Sequence, residues 1–355
     1  MTGPDEPVTI DQVIARAREA LDPGAYAWAA AGAGEGVTMA RNSAALNRLA
    51  LVPRTLQDVE SVDISTSFLG VPLALPVLLA PIGALALYHP DDALAAAAAA
   101  VAMEAGVMVS SLTTSGWEEV AATAPSRHFF QLYVFGDRGW TAEVVDRVEQ
   151  AGYAALCVTT DTPVIARRDR SLETGWGWAT PAGGTVNLQR HGSDPAYRTR
   201  YTLADLEWLT GHTDLPVIVK GIMHPDDATA AIDAGAAALY VSNHGGRVVD
   251  HSVSSIEVLG EIMAAAGQRV EVVVDSGFTR GAEVCMALAL GAKAVGIGRL
   301  QCWGLAGGGT RGLVRVLEIL RDEIAITMAN IGCRSVNELG PDRVRWSIPA
   351  VPPPG

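Results

Sequence analysis

The 355-residue sequence is poor in aromatic residues and in positive charge. Aromatic side chains make up 6% of the chain and hydrophobic residues 49%, so the core must consist mainly of small and aliphatic side chains. Lysine and arginine number 26 against 39 aspartate and glutamate residues, which gives a formal net charge of −13. A surface this acidic repels phosphate backbones and anionic lipids. We therefore expect neither nucleic acid nor a membrane as a partner.

Cysteine and long apolar runs are scarce as well. There is no C-x-x-C pair, and in apolar or small-residue runs cysteine acts as a small hydrophobe. We expect reduced structural thiols at Cys157, Cys285, Cys302 and Cys333. The longest alanine-rich apolar stretch, residues 93–103, is too short for a membrane span of about 20 residues. Because the N-terminus also lacks the features of a signal peptide, we expect a cytoplasmic protein.

The motifs of several common site types are missing. The seven histidines are scattered and form no H-E-x-x-H pattern, so we expect no metal site. The glycines within residues 32–36 do not form G-x-G-x-x-G and follow no predicted strand, which argues against a nicotinamide-binding fold. No G-x-S-x-G elbow of a hydrolase occurs either.

Short apolar, β-branched runs recur eight times along the chain. They are the segments 76–80, 107–111, 129–133, 155–161, 216–221, 238–244, 271–277 and 294–299. Stretches with helical spacing separate them, among them 91–105, 141–151, 226–234 and 281–290. Alternation of strand and helix is typical of a (β/α)₈ barrel, and an open doubly wound sheet is the alternative. We predict an α/β protein with a TIM barrel and an N-terminal helical extension, in which residues 1–355 form a single domain.

Two features of the connections stand out. Several helical stretches are followed by a glycine of the kind that caps a helix in the left-handed conformation, namely Gly106, Gly152, Gly235 and Gly291. Residues 165–201, after the fourth strand, show no clear period and make this connection much longer than the others. Long loops of this kind are often lids, so we predict a lid-like loop, with a disordered surface segment as the alternative.

Polar side chains gather where the predicted strands end. They are Ser110, Gln131, Tyr133, Thr159, Asp161, Lys220, His244, Asp275 and Arg299. A packed barrel interior has no use for lysine or arginine, and chemistry in such barrels occurs at the C-terminal ends of the strands. We therefore expect these residues to surround a functional site.

The most informative segment reads VSNHGGR and contains His244 and Arg247. Imidazole titrates near neutral pH and suits proton abstraction, while a guanidinium matches the geometry of a carboxylate. Asp161, at another strand end, can stabilise the imidazolium that forms, or it can pair with Arg167 or Arg168. We predict that the histidine is a catalytic base.

Three further strand ends suit a cofactor. Lys220 ends an apolar strand, so its cation must pair with a rim carboxylate or meet another negative charge, such as the one that a reduced flavin accumulates near N1. The loops after the seventh and eighth strands are the usual phosphate site of barrels. These loops contain Asp275, Ser276, Gly277, Gly298 and Arg299. We interpret them as a phosphate-binding site for the cofactor.

Together these motifs resemble the FMN-dependent 2-hydroxy acid oxidases and dehydrogenases, a family that includes glycolate oxidase, lactate oxidase and mandelate dehydrogenase. The similarity covers residues 10–340. It implies FMN as cofactor, a small carboxylate as substrate, oxygen or a soluble carrier as electron acceptor, and a homotetramer. It also implies that His244 removes a proton while the C2 hydrogen of the substrate reduces flavin N5, which gives a 2-keto acid.

The resemblance implies a role for the residue at each position that corresponds to a functional position of the family. The implied catalytic residues are His244, Asp161, Tyr133, Arg247 and Lys220. The implied substrate contacts are Trp28, Tyr133, Arg168, Arg247 and His244. The implied cofactor contacts are Pro81, Ile82, Gly83, Ser110, Gln131, Thr159, Lys220, Ser242, Asp275, Ser276, Gly277, Thr279, Gly298 and Arg299.

Three positions depart from the family pattern. Trp28 stands where the family has a substrate-binding tyrosine, Thr279 replaces an arginine near the FMN, and Gly83 lacks a methyl group close to flavin N5. Arg280 is a candidate replacement for the missing guanidinium. These departures leave two alternatives, namely an enzyme for a larger or atypical substrate such as mandelate or hydroxymandelate, and a flavin-binding homologue with impaired catalysis.

Overall fold

The described part of the chain, residues 6–176 and 201–347 of a computed structural model, alternates between strands and helices. The strands are β1 (Leu49–Leu51), β2 (Thr66–Phe68), β3 (Val71–Leu73), β4 (Val77–Leu79), β5 (Gly106–Ser110), β6 (Phe129–Leu132), β7 (Ala155–Thr159), β8 (Val217–Ile222), β9 (Ala238–Val241), β10 (Glu271–Val274), β11 (Ala294–Ile297) and β12 (Val344–Trp346). Strands β4 to β11 are parallel and close into a barrel in the order β10-β11-β4-β5-β6-β7-β8-β9. This closure confirms the predicted (β/α)₈ fold and excludes the open sheet.

Helices surround the barrel and precede it. They are α1 (Ile10–Ala20), α2 (Pro23–Ala30), α3 (Val37–Leu46), α4 (Asp92–Met103), α5 (Trp117–Ala121), α6 (Arg138–Gln150), α7 (Asp169–Glu173), α8 (Leu203–His212), α9 (Pro225–Asp233), α10 (Ser255–Ala266), α11 (Gly281–Ala289) and α12 (Arg299–Asn330). Helices α1 to α3 are the predicted N-terminal extension. Asp22 caps α2 by accepting a hydrogen bond from the backbone N–H of Gly24 at 2.8 Å, and α1 packs along α12.

The barrel interior is filled and closed at its N-terminal end. Its inward-pointing side chains include Leu78, Met108, Phe129, Ile218 and Val273. The antiparallel hairpin β2–β3 covers this end, where Phe68 packs on Phe129 with ring centroids 5.4 Å apart. Leu69 fastens the hairpin by donating its backbone N–H to the Glu271 carboxylate at 2.7 Å. The opposite, C-terminal end of the barrel is therefore the one that can hold a ligand.

A second core lies between the barrel and its helices. It is built mainly from aliphatic side chains and alanines, as the composition predicts. All four cysteines are free and buried, which agrees with the expectation of structural thiols. No helix in the described ranges is long and apolar enough to cross a membrane.

The glycine predictions hold at three of four positions. Gly152, Gly235 and Gly291 have φ of +82°, +92° and +105° and follow helices as predicted. The prediction for Gly106 is wrong, because this residue begins β5 and the left-handed residue after α4 is Glu104 (φ +48°). Gly106 is required for packing instead, since a Cβ there would lie 2.3 Å from a methyl carbon of a β4 leucine.

The long connection after the fourth barrel strand runs from the end of β7 to the start of β8. Its described parts include α7 and end at Trp176 before resuming at Tyr201. Most of the predicted lid-like loop, residues 177–200, lies outside the described residues.

Candidate active site

A cavity of about 600 Å³ opens at the C-terminal end of the barrel. The parallel strands bring their polar end residues to this one rim. The predicted residues that line the cavity are Trp28, Pro81, Ile82, Gly83, Tyr133, Arg168, Lys220, His244, Arg247, Asp275, Ser276, Gly277, Thr279, Gly298 and Arg299. The other predicted residues lie at or just after the ends of neighbouring strands, and they are Ser110, Gln131, Thr159, Asp161 and Ser242.

His244 and Asp161 form a hydrogen-bonded pair at the rim. The imidazole Nδ1 lies 3.0 Å from Asp161 Oδ1, and the Thr162 hydroxyl donates to the same oxygen at 2.8 Å. Burial raises the pKa of Asp161, but the charges of His244 and Lys220 outweigh it and hold the pKa well below its ordinary value. An ionised carboxylate only accepts hydrogen bonds, so Nδ1 carries the hydrogen and Nε2 is the basic nitrogen. In the described structure neither alternative arginine pairs with this carboxylate.

The backbone at His244 adopts a left-handed conformation with φ of +59°. Such a conformation is costly for a residue with a Cβ and persists only where neighbouring contacts hold it. The Ser242 hydroxyl accepts from the His244 N–H at 3.0 Å, and the amides of Asn243 and Asn42 exchange hydrogen bonds of 2.7 and 2.9 Å. Asn42 lies in α3, 201 residues earlier, and was not predicted from the sequence.

Lys220 is buried beneath the cavity. Its ammonium donates to the Ser242 hydroxyl at 2.8 Å, lies 3.7 Å from Asp275 Oδ2, and is 5.1 Å from the centre of the Tyr240 ring. Burial lowers the pKa of Lys220, but the carboxylates of Asp275 and Asp161 outweigh it and raise the pKa above its ordinary value. The lysine thus makes the alternative rim salt bridge and still presents a fixed positive charge to the cavity.

Three arginines concentrate positive charge on one side of the cavity. Burial, with Arg247 as a like-charged neighbour, lowers the pKa of Arg168 to about 10 and that of Arg299 to about 9. Burial also lowers the pKa of Arg247. Within residues 6–176 and 201–347, no carboxylate forms an ion pair with any of the three. Like charges gathered without a counter-ion favour an anionic ligand.

Two of these arginines also hold helix α2 against the rim. Arg247 Nη1 donates to the carbonyl oxygens of Trp28, Ala29 and Ala31 at 2.9–3.0 Å. Arg299 donates to the carbonyls of Ala29 and Ala31 at 2.9 and 3.1 Å. The last turn of a helix leaves carbonyl oxygens unpaired, and positive side chains stabilise that end. Arg247 therefore keeps only part of its donor set for a ligand.

Trp28 forms an aromatic wall beside this cluster. The guanidinium carbon of Arg247 lies 4.7 Å from the centre of the Trp28 ring, and that of Arg168 lies 5.7 Å from it. Both distances are within the range of cation–π interactions. The indole thus packs against both arginines that were predicted to bind the substrate carboxylate.

Two buried polar atoms at the strand ends indicate a cofactor. Gln131 Nε2 and Thr159 Oγ1 have no hydrogen-bond partner in the described part of the chain. The Ser110 hydroxyl donates to Gln131 Oε1 at 2.8 Å, which fixes the amide with its donor group unpaired. Buried polar atoms are rarely left unsatisfied. A ring with alternating donors and acceptors, such as the pyrimidine portion of a flavin, would satisfy them.

The other end of the cavity fits a phosphate. Helix α12 begins at Arg299, and its N-terminus faces the cavity because Gly298 and Leu300 line it. Free N–H groups and the dipole of a helix N-terminus bind anions. Gly277 has φ of +100°, and a Cβ there would lie 3.0 Å from the Asn42 Cβ, so this turn needs glycine.

Besides Trp28, the other two departures from the family pattern are Thr279 and Gly83, and neither is compensated or enlarges the cavity. Thr279 lines the cavity, but the Arg280 guanidinium lies 2.6 Å from the Glu323 carboxylate and does not take the place of the missing arginine. The space beside Gly83 is already filled, since a Cβ there would lie 2.8 Å from the Leu112 Cβ. The glycine therefore does not enlarge the cavity at that point.

Several residues of the cavity wall were not found from the sequence. They are Met39, Ala40, Asn42, Ser43, Tyr88, Leu112, Thr162, Cys302 and Trp303. Tyr88 and Leu112 lie in the loops after the first two barrel strands, where position alone was a usable signal. The α3 residues gave no local signal, because they meet the rim only in the folded chain.

Comparison with known proteins agrees with this geometry. The family model of the FMN-dependent dehydrogenases matches residues 17–346. An L-lactate oxidase from Nostoc sp. is 39% identical over 96% of this chain and 98% of its own length. A glycolate oxidase from Spinacia oleracea is 36% identical over 97% and 98%. The crystal structure of a mandelate oxidase with benzoyl-formic acid has a TM-score of 0.90 and 35% identity, covering 97% of this chain and 100% of that one.

These similarities extend over nearly the whole chain and link it to flavoenzymes that act on a CH–OH group. The expected family, the FMN cofactor and the expected class of oxidoreductase are confirmed. The protein belongs to the FMN-dependent dehydrogenase family and is an FMN-dependent enzyme of the 2-hydroxy acid oxidase group.

Proposed function

We propose that the protein oxidises a 2-hydroxy acid to the corresponding 2-keto acid, with His244 as the base. The observation that carries this proposal is the His244–Asp161 pair at 3.0 Å beside a cavity with a cluster of guanidinium groups. Such a cluster suits the carboxylate of the substrate, and the imidazole suits removal of a proton next to it.

Each side chain has a defined task in this proposal. Arg168 and Arg247 bind the substrate carboxylate, and Tyr133 contacts the hydroxyl or the carboxylate. His244 takes up a proton from the substrate at Nε2, and Asp161 stabilises the imidazolium that results. When bound, FMN would accept the two electrons and the C2 hydrogen that leave the substrate carbon.

The cofactor contacts follow from the two ends of the cavity. At the ring end, Lys220 supplies positive charge, and its partner Ser242 keeps it in place. The proposed contacts of the ring are Pro81, Ile82, Gly83, Ser110, Gln131, Thr159, Lys220 and Ser242. The proposed contacts of the ribityl phosphate are Asp275, Ser276, Gly277, Thr279, Gly298 and Arg299.

An aryl 2-hydroxy acid is the second candidate substrate. The cavity wall contains the aromatic side chains of Trp28, Tyr88, Tyr133 and Trp303. Aromatic walls bind aryl groups more strongly than they bind a hydrogen or a methyl group. The related mandelate oxidase with benzoyl-formic acid supports this candidate.

Reduction of the enzyme under anaerobic conditions tests both candidates. The holoenzyme is mixed with glycolate, lactate, mandelate or 4-hydroxymandelate, and loss of the visible flavin absorbance is followed. We expect bleaching with at least one acid, and a His244→Ala variant that binds FMN but is reduced about 10²–10⁴-fold more slowly. If none of the acids bleaches the flavin, the proposed function is wrong and an impaired homologue is favoured.

We also propose oxygen as the electron acceptor, in line with the oxidases among the relatives. Hydrogen peroxide formed per keto acid measures this, and a soluble carrier is the alternative acceptor. The homotetramer stays a prediction, which light scattering of the purified protein would test.

A further inference from the structure

Tyr88 is a cavity residue that no part of the proposed mechanism uses. It follows a short 3₁₀ helix, Leu85–Leu87, in the loop after β4, and only 7% of its surface is exposed. Its ring meets the Trp303 ring edge-on, with centroids 6.5 Å apart, and both residues line the cavity. The phenol is therefore held in the wall by packing.

The surroundings of this phenol are cationic. Arg247 and Arg299 both act electrostatically on Tyr88, and Cys302 lies beside it. Burial raises the pKa of Tyr88 well above its ordinary value, and Cys302 raises it further, so the hydroxyl keeps its proton. A protonated phenol is a hydrogen-bond donor, whereas a thiol is only a weak acceptor.

The arginines do not supply all the hydrogen-bond donors that a bound carboxylate can accept. Arg247 Nη1 donates to three backbone carbonyls at the end of α2, so only part of the guanidinium can bind a ligand. The Trp28 ring, where the family has a tyrosine, packs against Arg247 and Arg168. A phenol from another loop, next to the same guanidinium, is in a position to complete the donor set.

We propose that Tyr88 is a substrate-binding residue of this chain, and that its hydroxyl donates a hydrogen bond to the carboxylate of the bound 2-hydroxy acid beside Arg247. This inference rests on the function proposed above and adds to it the residue that completes the carboxylate site.

The test compares ligands with and without a carboxylate. Perturbation of the visible FMN spectrum of the holoenzyme is titrated with benzoylformate and pyruvate, and with benzaldehyde, which lacks the carboxylate. A hydrogen bond to a charged group is the interaction lost in Tyr88→Phe, so we expect both keto acids to bind about 10- to 100-fold more weakly. Benzaldehyde binding and FMN content should stay as in the parent enzyme.

Tyr26→Phe is the matched control. Tyr26 stacks on Trp303 with ring centroids 4.9 Å apart, but it lies outside the cavity wall. Removal of its hydroxyl should therefore leave ligand affinity unchanged. In steady-state assays Tyr88→Phe should raise KM with a smaller effect on kcat, because the interaction exists before and during the reaction. A merely structural role would weaken benzaldehyde and the keto acids alike.

The outcomes separate this inference from the proposed function. If neither keto acid perturbs the parent enzyme, the proposed function fails. If the parent enzyme binds them and Tyr88→Phe binds them equally well, or loses benzaldehyde to the same extent, only the role of Tyr88 is refuted.

Discussion

The contact between Gly221 and Asp161 makes the sharpest prediction for the proposed catalytic pair, His244 and Asp161. Gly221 lies in β8 with φ of +108°, and the nearest neighbour of a Cβ added to it is Asp161, whose carboxylate is hydrogen-bonded to His244. A Cβ at this position would lie 2.5 Å from the Asp161 Cβ and 2.9 Å from its backbone nitrogen. The substitution Gly221→Ala therefore has to displace Asp161, and we expect loss of both stability and activity.

The magnitude follows from two contributions. A side chain in this backbone conformation costs at least about 1–2 kcal/mol, and overpacking against a buried neighbour adds about 1–3 kcal/mol. Gly152→Ala isolates the first contribution, because Gly152 has φ of +82° and a Cβ there would meet nothing within 4 Å. We expect Gly221→Ala to lose about 2–5 kcal/mol of unfolding free energy and Gly152→Ala about 1–2 kcal/mol.

Urea unfolding and anaerobic flavin reduction measure the two effects. In the folded Gly221→Ala holoenzyme the reduction rate should fall by at least about tenfold, since Asp161 no longer orients the base, while Gly152→Ala should react as the parent does. If the two alanine variants are equally stable, the close contact does not exist. Full activity in a destabilised Gly221→Ala would show that Asp161 does not orient His244.

Further predictions concern the cofactor and the pH. Thr159→Val removes a buried unpaired hydroxyl, so it should stabilise the apoprotein by about 1 kcal/mol and weaken FMN binding about two- to tenfold. In the control Thr141→Val, the lost hydroxyl donates to a backbone carbonyl at 2.9 Å, so this variant should lower the free energy of unfolding. If urea unfolding shows stability changes of the same sign for both variants, the reasoning is contradicted. Thr279→Arg restores a guanidinium at the cavity wall and should tighten FMN binding about tenfold or more in fluorescence titrations, whereas unchanged affinity would place the phosphate elsewhere. Burial, with Arg127 nearby, lowers the pKa of His128 to about 4 from an ordinary 6.5. Between these two pH values the unfolded chain binds a proton that the folded protein does not. The free energy of unfolding therefore falls by up to about 3 kcal/mol as the pH drops from 6.5 to 4. His128→Gln should flatten this part of the profile, and an unchanged slope in that variant would refute the assignment.

The fold and the rim residues were predictable because their signals are local. Most barrel strands are short apolar runs, and polar side chains lie at or just after the ends of several of them, as with Thr159 and Asp275. Parallel strands then bring distant positions to one rim, so the pairing of His244 with Asp161 needed only the fold and the residue types. The hairpin β2–β3, which covers the N-terminal end of the barrel, gave no such signal, because its turn, Leu69–Gly70, lacks the usual Asn-Gly or Asp-Gly pattern.

What the sequence did not reveal depends on contacts across the whole chain. Asn42 pairs with Asn243, and Arg247 binds carbonyls more than 200 residues away, which no local pattern encodes. Gly106 was misread for a related reason. A glycine after a helix suits a cap, but here the position takes glycine because a leucine side chain of the neighbouring strand leaves no space for a Cβ.

The helix end beside the arginine cluster explains how a chain with a net charge of −13 can bind two anions. Buried guanidinium groups need partners, and a carboxylate partner would neutralise the charge that FMN and substrate require. The carbonyls at the end of α2 satisfy donors of Arg247 and Arg299 and carry only about half a negative charge. The cluster therefore stays positive, as the proposed binding of the FMN phosphate at one side and of a substrate carboxylate at the other requires. By mass action the holoenzyme should be more stable than the apoprotein, by about 4 kcal/mol at a thousandfold excess of FMN over its Kd.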